Sequence, residues 1–188
     1  MTEQTTRAGI VAAANDLFYR QGFAQTSFSD IAAVVEISRG NFYHHFKSKD
    51  EILDAVIAAR LEDTARMLER WERAASGPAD CIRSFIRMLE SNRSAIKRYG
   101  CPVGTLATEL AKLGHPAQPG ANRLFTLFRT WLAGHFAKLG RAADADALAM
   151  RLLARSQGVA TLTNAFRDEA FIRREVQDME EWLEGITP

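Results

Sequence analysis

Residues 38–49 read SRGNFYHHFKSK, and this stretch concentrates groups that can read and grip a nucleic acid without a single acid among them. Arg39 and Asn41 are the types that hydrogen-bond base edges in bidentate fashion, Arg to guanine and Asn to adenine. Tyr43, His44 and Lys49 can reach phosphate oxygens, which fixes register without reading sequence. Gly40 weakens a helix by about 1 kcal/mol relative to Ala, but it allows close approach of another surface.

That chemistry requires a helix held in a major groove. Thr26 and Ser27 are cap-forming types with Asp30 just beyond, which predicts a helix start. Ile31, Ala32, Val34 and Val35 supply its apolar face, and Glu36-Ile37 is the break. Ser38 caps the next helix, about two turns long. Its Phe42 and Phe46 lie four apart on one face and can anchor it. Ser48 then caps a further helix, with Asp50 and Glu51 in the first turn, where carboxylates offset the helix dipole. Helix, short turn, helix is the arrangement that places a second helix in the major groove.

Residues 7–54 resemble the N-terminal DNA-binding domain of TetR-family transcriptional regulators. The likeness is carried by the first helix ending at Gly22-Phe23, the Thr26-Ser27 start with Asp30-Ile31-Ala32, the run Gly40–Phe46, and Lys49-Asp50-Glu51-Ile52-Leu53. Ile37 stands where the family commonly has Val, and Asn41 where Thr or Ser is commoner. The resemblance implies DNA contacts by Thr26, Ser27, Ser38, Arg39, Gly40, Asn41, Tyr43, His44 and Lys49. It also implies a homodimer formed through the last two helices, and a small-molecule effector bound by the middle ones.

The chain has 188 residues, 47% of them apolar, enough for one or two globular domains. No apolar run approaches the ~18 residues of a membrane helix. Met1–Thr6 has neither a charged nor an apolar leader region, and the two cysteines, Cys81 and Cys101, make no disulfide framework. Together these features predict a soluble, cytoplasmic protein. Residues 1–55 hold five basic and seven acidic residues, a balance of −2. A DNA-binding module is ordinarily basic, so binding must rest on local charge around the recognition helix.

The periodicity predicts an all-α fold of about nine helices, with no strand-period segment and no internal repeat. A three-helix DNA-binding domain (residues 1–50) precedes a helical ligand-binding and dimerisation bundle (51–188). The first helix carries Ile10, Ala13, Ala14, Leu17 and Phe18, and Gly22 ends it. A long helix runs from Ser48 to about Ala75, roughly 40 Å, a stiff rod able to carry motion between domains. Further helices are expected over Asp80–Arg98, Val103–Leu113, Ala121–Leu139, Asp144–Phe166 and from Phe171 onward. Gly114 to Gly120 reads as a loop.

Leu152, Val159, Leu162, Val176 and Leu183 form apolar stripes wider than one edge of a small bundle needs, the mark of an interface. A two-fold dimer suits an operator whose half-sites lie one helical turn apart. The effector is expected to be apolar or aromatic, enclosed by Met67, Trp71, Phe85, Met88, Leu106, Leu110, Phe128 and Trp131. Gln157, Asn122 and His135 are candidate orienting groups. The same aromatics at helical spacing equally describe a filled core.

Cys101 precedes Pro102 at an expected helix N-terminus, where a thiolate is stabilised. Its Gly-Cys setting is similar to the sensing position of the N-ethylmaleimide-responsive branch of the family. A redox or electrophile switch and a small filler residue both fit. His44-His45 point about 100° apart and make poor joint metal ligands, so no metal and no cofactor are expected. No phosphate loop, metal spacing or nucleophile with a positioned base points to an enzyme. The rival reading is a helical adaptor that keeps the fold without specific DNA binding.

Overall fold

Local capping chemistry sets the first helices of the computed structural model. It describes residues 3–187, with side chains from Thr6 onward except that of Arg39. Helix α1 (Glu3–Gln21) stops at Gly22, whose φ of +93° suits only glycine. Helix α2 (Phe28–Val35) opens on a capping box. Ser27 Oγ accepts from the Asp30 amide, and the Asp30 carboxylate accepts from the Ser27 amide at 2.8 Å. Those bonds from Ser27 lower the Asp30 pKa. Glu36 closes α2 in the left-handed region, φ +56°. Ser38 then caps α3 (Arg39–His45), accepting from the Asn41 amide at 3.3 Å. Ser48 accepts from the Glu51 amide, and the Glu51 carboxylate takes the Lys47 amide, at the head of α4 (Lys49–Ala74).

Six helices follow: α5 (Pro78–Ser91), α6 (Arg93–Tyr99), α7 (Pro102–Lys112), α8 (Gln118–Phe136), α9 (Ala145–Phe166) and α10 (Glu169–Ile186). A π turn at Ala137–Arg141 joins α8 to α9 through Gly140, at φ +82°. The all-α reading therefore holds, with ten α-helices among the described residues where the sequence suggests about nine. The extra one arises at Asn92, whose backbone (φ −102°, ψ 10°) interrupts the expected Asp80–Arg98 helix while its amide donates to Met88 O. The expected Gly114–Gly120 loop is also shorter. Pro119 and Gly120 lie in the first turn of α8, where a missing amide proton costs nothing.

The chain forms two compact units. The first comprises residues 1–63 and 105–124. Its core joins Ile10, Phe18, Phe23, Ile31, Phe42, Phe46 and Leu53 to Leu106, Leu110 and Ala121. Phe42 and Phe46 are each 1% exposed. Each burial contributes about 2–3 kcal/mol and fixes the orientation of α3. The second unit comprises residues 64–104 and 125–188, with a core built from α5, α8, α9 and α10.

The stripes on the last two helices differ from expectation. Leu152, Val159, Val176 and Leu183 are buried in the chain's own second core. Leu162 remains 44% exposed, Phe166 is 76% exposed, and Met150 is also open to solvent. No described helix is long and apolar enough to cross a membrane.

Candidate DNA interface and effector cavity

Helix α3 is short, and its Phe42 and the capping Phe46 face inward. Asn41, Tyr43 and His44 therefore point to solvent. Tyr43 leans on Phe28, ring centroids 5.5 Å apart. Beyond its chain neighbours and its own helix backbone, no described atom lies within 4 Å of the position a Cβ on Gly40 would occupy, so packing does not require glycine there. The Arg39 side chain lies outside the described residues.

The remaining expected contacts are placed differently. Thr26 is 1% exposed, and its hydroxyl donates to Gly22 O at 2.7 Å, so its side chain does not face outward. Ser27 and Ser38 are exposed and act as helix caps. Lys49 does not project freely toward a phosphate. Its ammonium donates to Phe23 O at 2.9 Å and Thr26 O at 3.1 Å, and it sits 4.3 Å from the centroid of the Phe23 ring.

The acids that give this segment its negative balance are largely committed locally. Asp16 pairs with Arg20 at 2.8 Å. Asp30 and Glu51 are caps. Asp50 lies 3.4 Å from His115 Nε2. Residues 38–49 themselves carry no acid, and the Glu51 carboxylate beside them is engaged by the Lys47 amide. His44 and His45 stack edge to face at 5.5 Å, and the described residues contain no group of three or more metal-ligating side chains.

The second unit contains a cavity of about 250 Å³. Met67, Phe85, Met88 and Phe128 of the expected set line it, together with Leu89, Ile96, Val103, Phe125 and Leu153. Its polar lining comes from Thr64, Asn92, Ser156, Gln157 and Cys101, with no Asp, Glu, Lys, Arg or His in the wall. Sequence reasoning missed Phe125, Asn92 and Ser156; their spacing matches that of residues facing the core, so nothing local marks them out.

Four expected wall residues lie elsewhere. Leu106 and Leu110 belong to the first unit's core. Trp71 and Trp131 pack on one another at 5.8 Å, and Trp131 packs on His135 at 4.4 Å. His135 is buried, and its Nε2 lies 3.0 Å from a Glu72 carboxylate oxygen. Burial lowers its pKa, Glu72 acting in the opposite sense.

Cys101 lies in the cavity wall. Its Sγ receives the Gln157 side-chain amide at 3.4 Å and the Gly104 backbone amide at 3.5 Å. Lys97, its basic neighbour in sequence, pairs with Glu169 at 2.8 Å. Cys81 is buried, and desolvation raises its pKa, with the Glu72 charge adding to the effect. That is the setting of an inert thiol.

Comparison with known proteins agrees with this geometry. Residues 10–56 match the model of bacterial regulatory proteins of the tetR family. Residues 78–177, more than half of the chain, match the LmrA/YxaF-like transcriptional regulator C-terminal domain. An uncharacterized HTH-type transcriptional regulator in the lacX 3' region of Lactococcus lactis subsp. lactis is 28% identical over 72% of this chain and 70% of its own. The HTH-type transcriptional regulator TtgR of Pseudomonas putida is 35% identical over 44% of this chain and 40% of its own. The fold matches a TetR-family regulator from Agrobacterium tumefaciens with a TM-score of 0.85, at 23% identity and across the full length of both chains. A helix-turn-helix with an outward-facing second helix, followed by a domain of this type, makes the chain a member of the TetR family of DNA-binding transcriptional regulators.

Proposed function

We propose that this protein is a repressor that binds a pseudo-palindromic operator as a homodimer in the cytoplasm and is released by a small molecule. DNA binding is assigned to residues 1–50, and effector binding and dimerisation to residues 51–188. The observation that carries this reading is helix α3, anchored by Phe42 and Phe46, with Asn41, Tyr43, His44 and an unobstructed Gly40 on its outer side. Asn41, with Arg39 beside it in sequence, is assigned base readout. Tyr43, His44, Ser27 and Ser38 are assigned phosphate contacts.

The effector is assigned to the uncharged cavity of the second unit. An apolar or aromatic molecule with a neutral hydrogen-bonding group suits Phe85, Met88 and Phe128 alongside Gln157. It acts by binding the DNA-competent and incompetent conformations unequally. Modification of Cys101 in the same wall would act by the same route. Dimerisation is assigned to the face that carries Leu162 and Phe166.

Footprinting on the protein's own upstream DNA over a range of salt tests the reading. The expected result is a protected pseudo-palindrome with half-sites about 34–36 Å apart. Uniform, sequence-independent binding, or none at low salt, would move the adaptor reading ahead.

A further inference from the structure

The turn between α1 and α2 is held by two side chains of opposite charge from distant parts of the chain. Its own backbone leaves several groups without a partner. Gly22 N donates to Phe18 O and Thr26 N to Phe23 O. That leaves the amides of Phe23 and Ala24, the carbonyls of Ala24 and Thr26, and the second lone pair of Phe23 O. Both amides donate to the Glu109 carboxylate at 2.9 Å, across 86 and 85 residues of sequence. All three carbonyls accept from the Lys49 ammonium. Glu109 and Lys49 thus hydrogen-bond one turn from its two sides.

The fit is close. A Cβ on Gly22 would stand 3.0 Å from a Glu109 carboxylate oxygen and crowd it, and the φ of +93° at Gly22 independently favours glycine. Phe23 is buried beside Phe18 and His115. His115 accepts the Ala117 amide on Nδ1 and faces Asp50 through Nε2. The turn leads directly into the Ser27 cap of α2, and Phe28 of α2 packs edge to face on Phe42 of α3 at 5.2 Å. Movement of the turn is therefore passed to the recognition helix through two adjacent contacts.

We propose that Glu109 is a positioning residue for operator recognition. It touches no DNA. It fixes the α1–α2 turn, and with it the angle at which α3 presents Asn41 and its neighbours. The inference rests on the assignment of α3 as the DNA-reading helix.

The test uses the full-length protein, the duplex it selects from a random library, and an unrelated duplex. Glu109→Gln keeps the size of the side chain but offers an NH₂ to one of the two amides. The expected result is an about tenfold or greater loss of affinity for the selected duplex. Affinity for the unrelated duplex and the dependence on salt stay as in the wild type, since no phosphate contact is removed. Amide exchange at Phe23, Ala24 and along α3 speeds up. Lys49→Met gives the same pattern, and the double variant is less than additive because both hold one turn. Wild-type affinity for the selected duplex in Glu109→Gln overturns the proposal. So does an equal loss on both duplexes with a reduced salt slope, which marks a direct phosphate effect or unfolding. A wild-type protein that selects no sequence refutes the DNA-reading assignment itself, and this inference falls with it.

Discussion

The side-chain oxygen of Gln157 lies 2.2 Å from the point where a Cβ on Gly104 would stand. Gly104 therefore provides the space in which Gln157 reaches Cys101. Gly104→Ala must displace Gln157. Because the displaced group is the end of a flexible side chain, stability should change by less than about 1 kcal/mol. The amide contact to Cys101 Sγ is lost, and the reshaped cavity wall changes ligand affinity. Thiol-reagent kinetics at Cys101, with Cys81 replaced by Ala, and thermal shift with a compact neutral aromatic such as indole would check this. Unchanged values for both would mean that Gln157 does not shape the site.

Gly40 separates folding from recognition. The open space around it means that Gly40→Ala removes nothing from the protein and adds helix propensity of up to about 1 kcal/mol. Urea denaturation should give an equal or higher midpoint, while operator affinity falls because the methyl group meets DNA. A variant that binds as tightly as the wild type would place DNA away from the start of α3.

Stability should decline as the medium becomes mildly acidic, and His135 is the reason. Burial lowers its folded pKa; Lys138 acts in the same sense and Glu72 against it. Its Nδ1 is buried without a partner, so a second proton would have no acceptor. The unfolded chain takes up that proton near pH 6.5, so it binds more protons than the folded chain below that point. Stability then falls as pH drops through the ordinary histidine range toward the folded value. Asp30, Asp146, Asp168 and Glu169 all have lowered pKa values, and their contribution is lost only in the more acidic carboxylate range. Thermal melts from pH 7.5 to pH 5 would show the first decline, and His135→Gln should flatten it. An undiminished slope in that variant would move the effect to another group.

The exposed pair Leu162 and Phe166 provides a check on assembly. Leu162→Glu combined with Phe166→Glu places charge on a surface that is already solvated in the single chain, so helical content should be unchanged. Light scattering should show a dimer for the wild type and a monomer for the double variant, and operator binding should drop with it. A dimeric double variant would move the interface to another face.

The parts of the architecture legible from sequence are those determined by local chemistry. Ser27, Ser38 and Ser48 cap because a hydroxyl reaches an amide three residues on, and Gly22 ends α1 because of its own φ. Met67, Phe85, Met88 and Phe128 could be assigned to the cavity because each lies on the apolar face of its helix. The same rule misplaced Leu106, Leu110, Trp71 and Trp131. Periodicity tells which face is apolar but not which core receives it, as with Leu106 and Leu110, nor whether a ring turns to a cavity or to another ring, as with Trp71 and Trp131. The type and neighbours of Lys49 suggest a phosphate contact, whereas its partners lie 23 to 26 residues away. Nothing local marks Glu109, because an acid in a helix usually faces solvent; its contacts are with a turn 85 residues earlier in the chain.

The first unit is built from two separate stretches of sequence, since Leu106, Leu110 and Ala121 complete a core begun by residues before Leu61. During synthesis, the segment bearing the recognition helix emerges from the ribosome well before the residues that finish its core. For that interval it has an unfilled apolar side and an α1–α2 turn lacking Glu109. The core and the turn of this unit are therefore complete only once the chain has been made past Ala121. A chimaera assembled by exchanging only the first three helices would inherit a partner core from one parent and its lining from the other. Exchanges that carry residues 105–124 along with 1–63 keep both halves of that core matched.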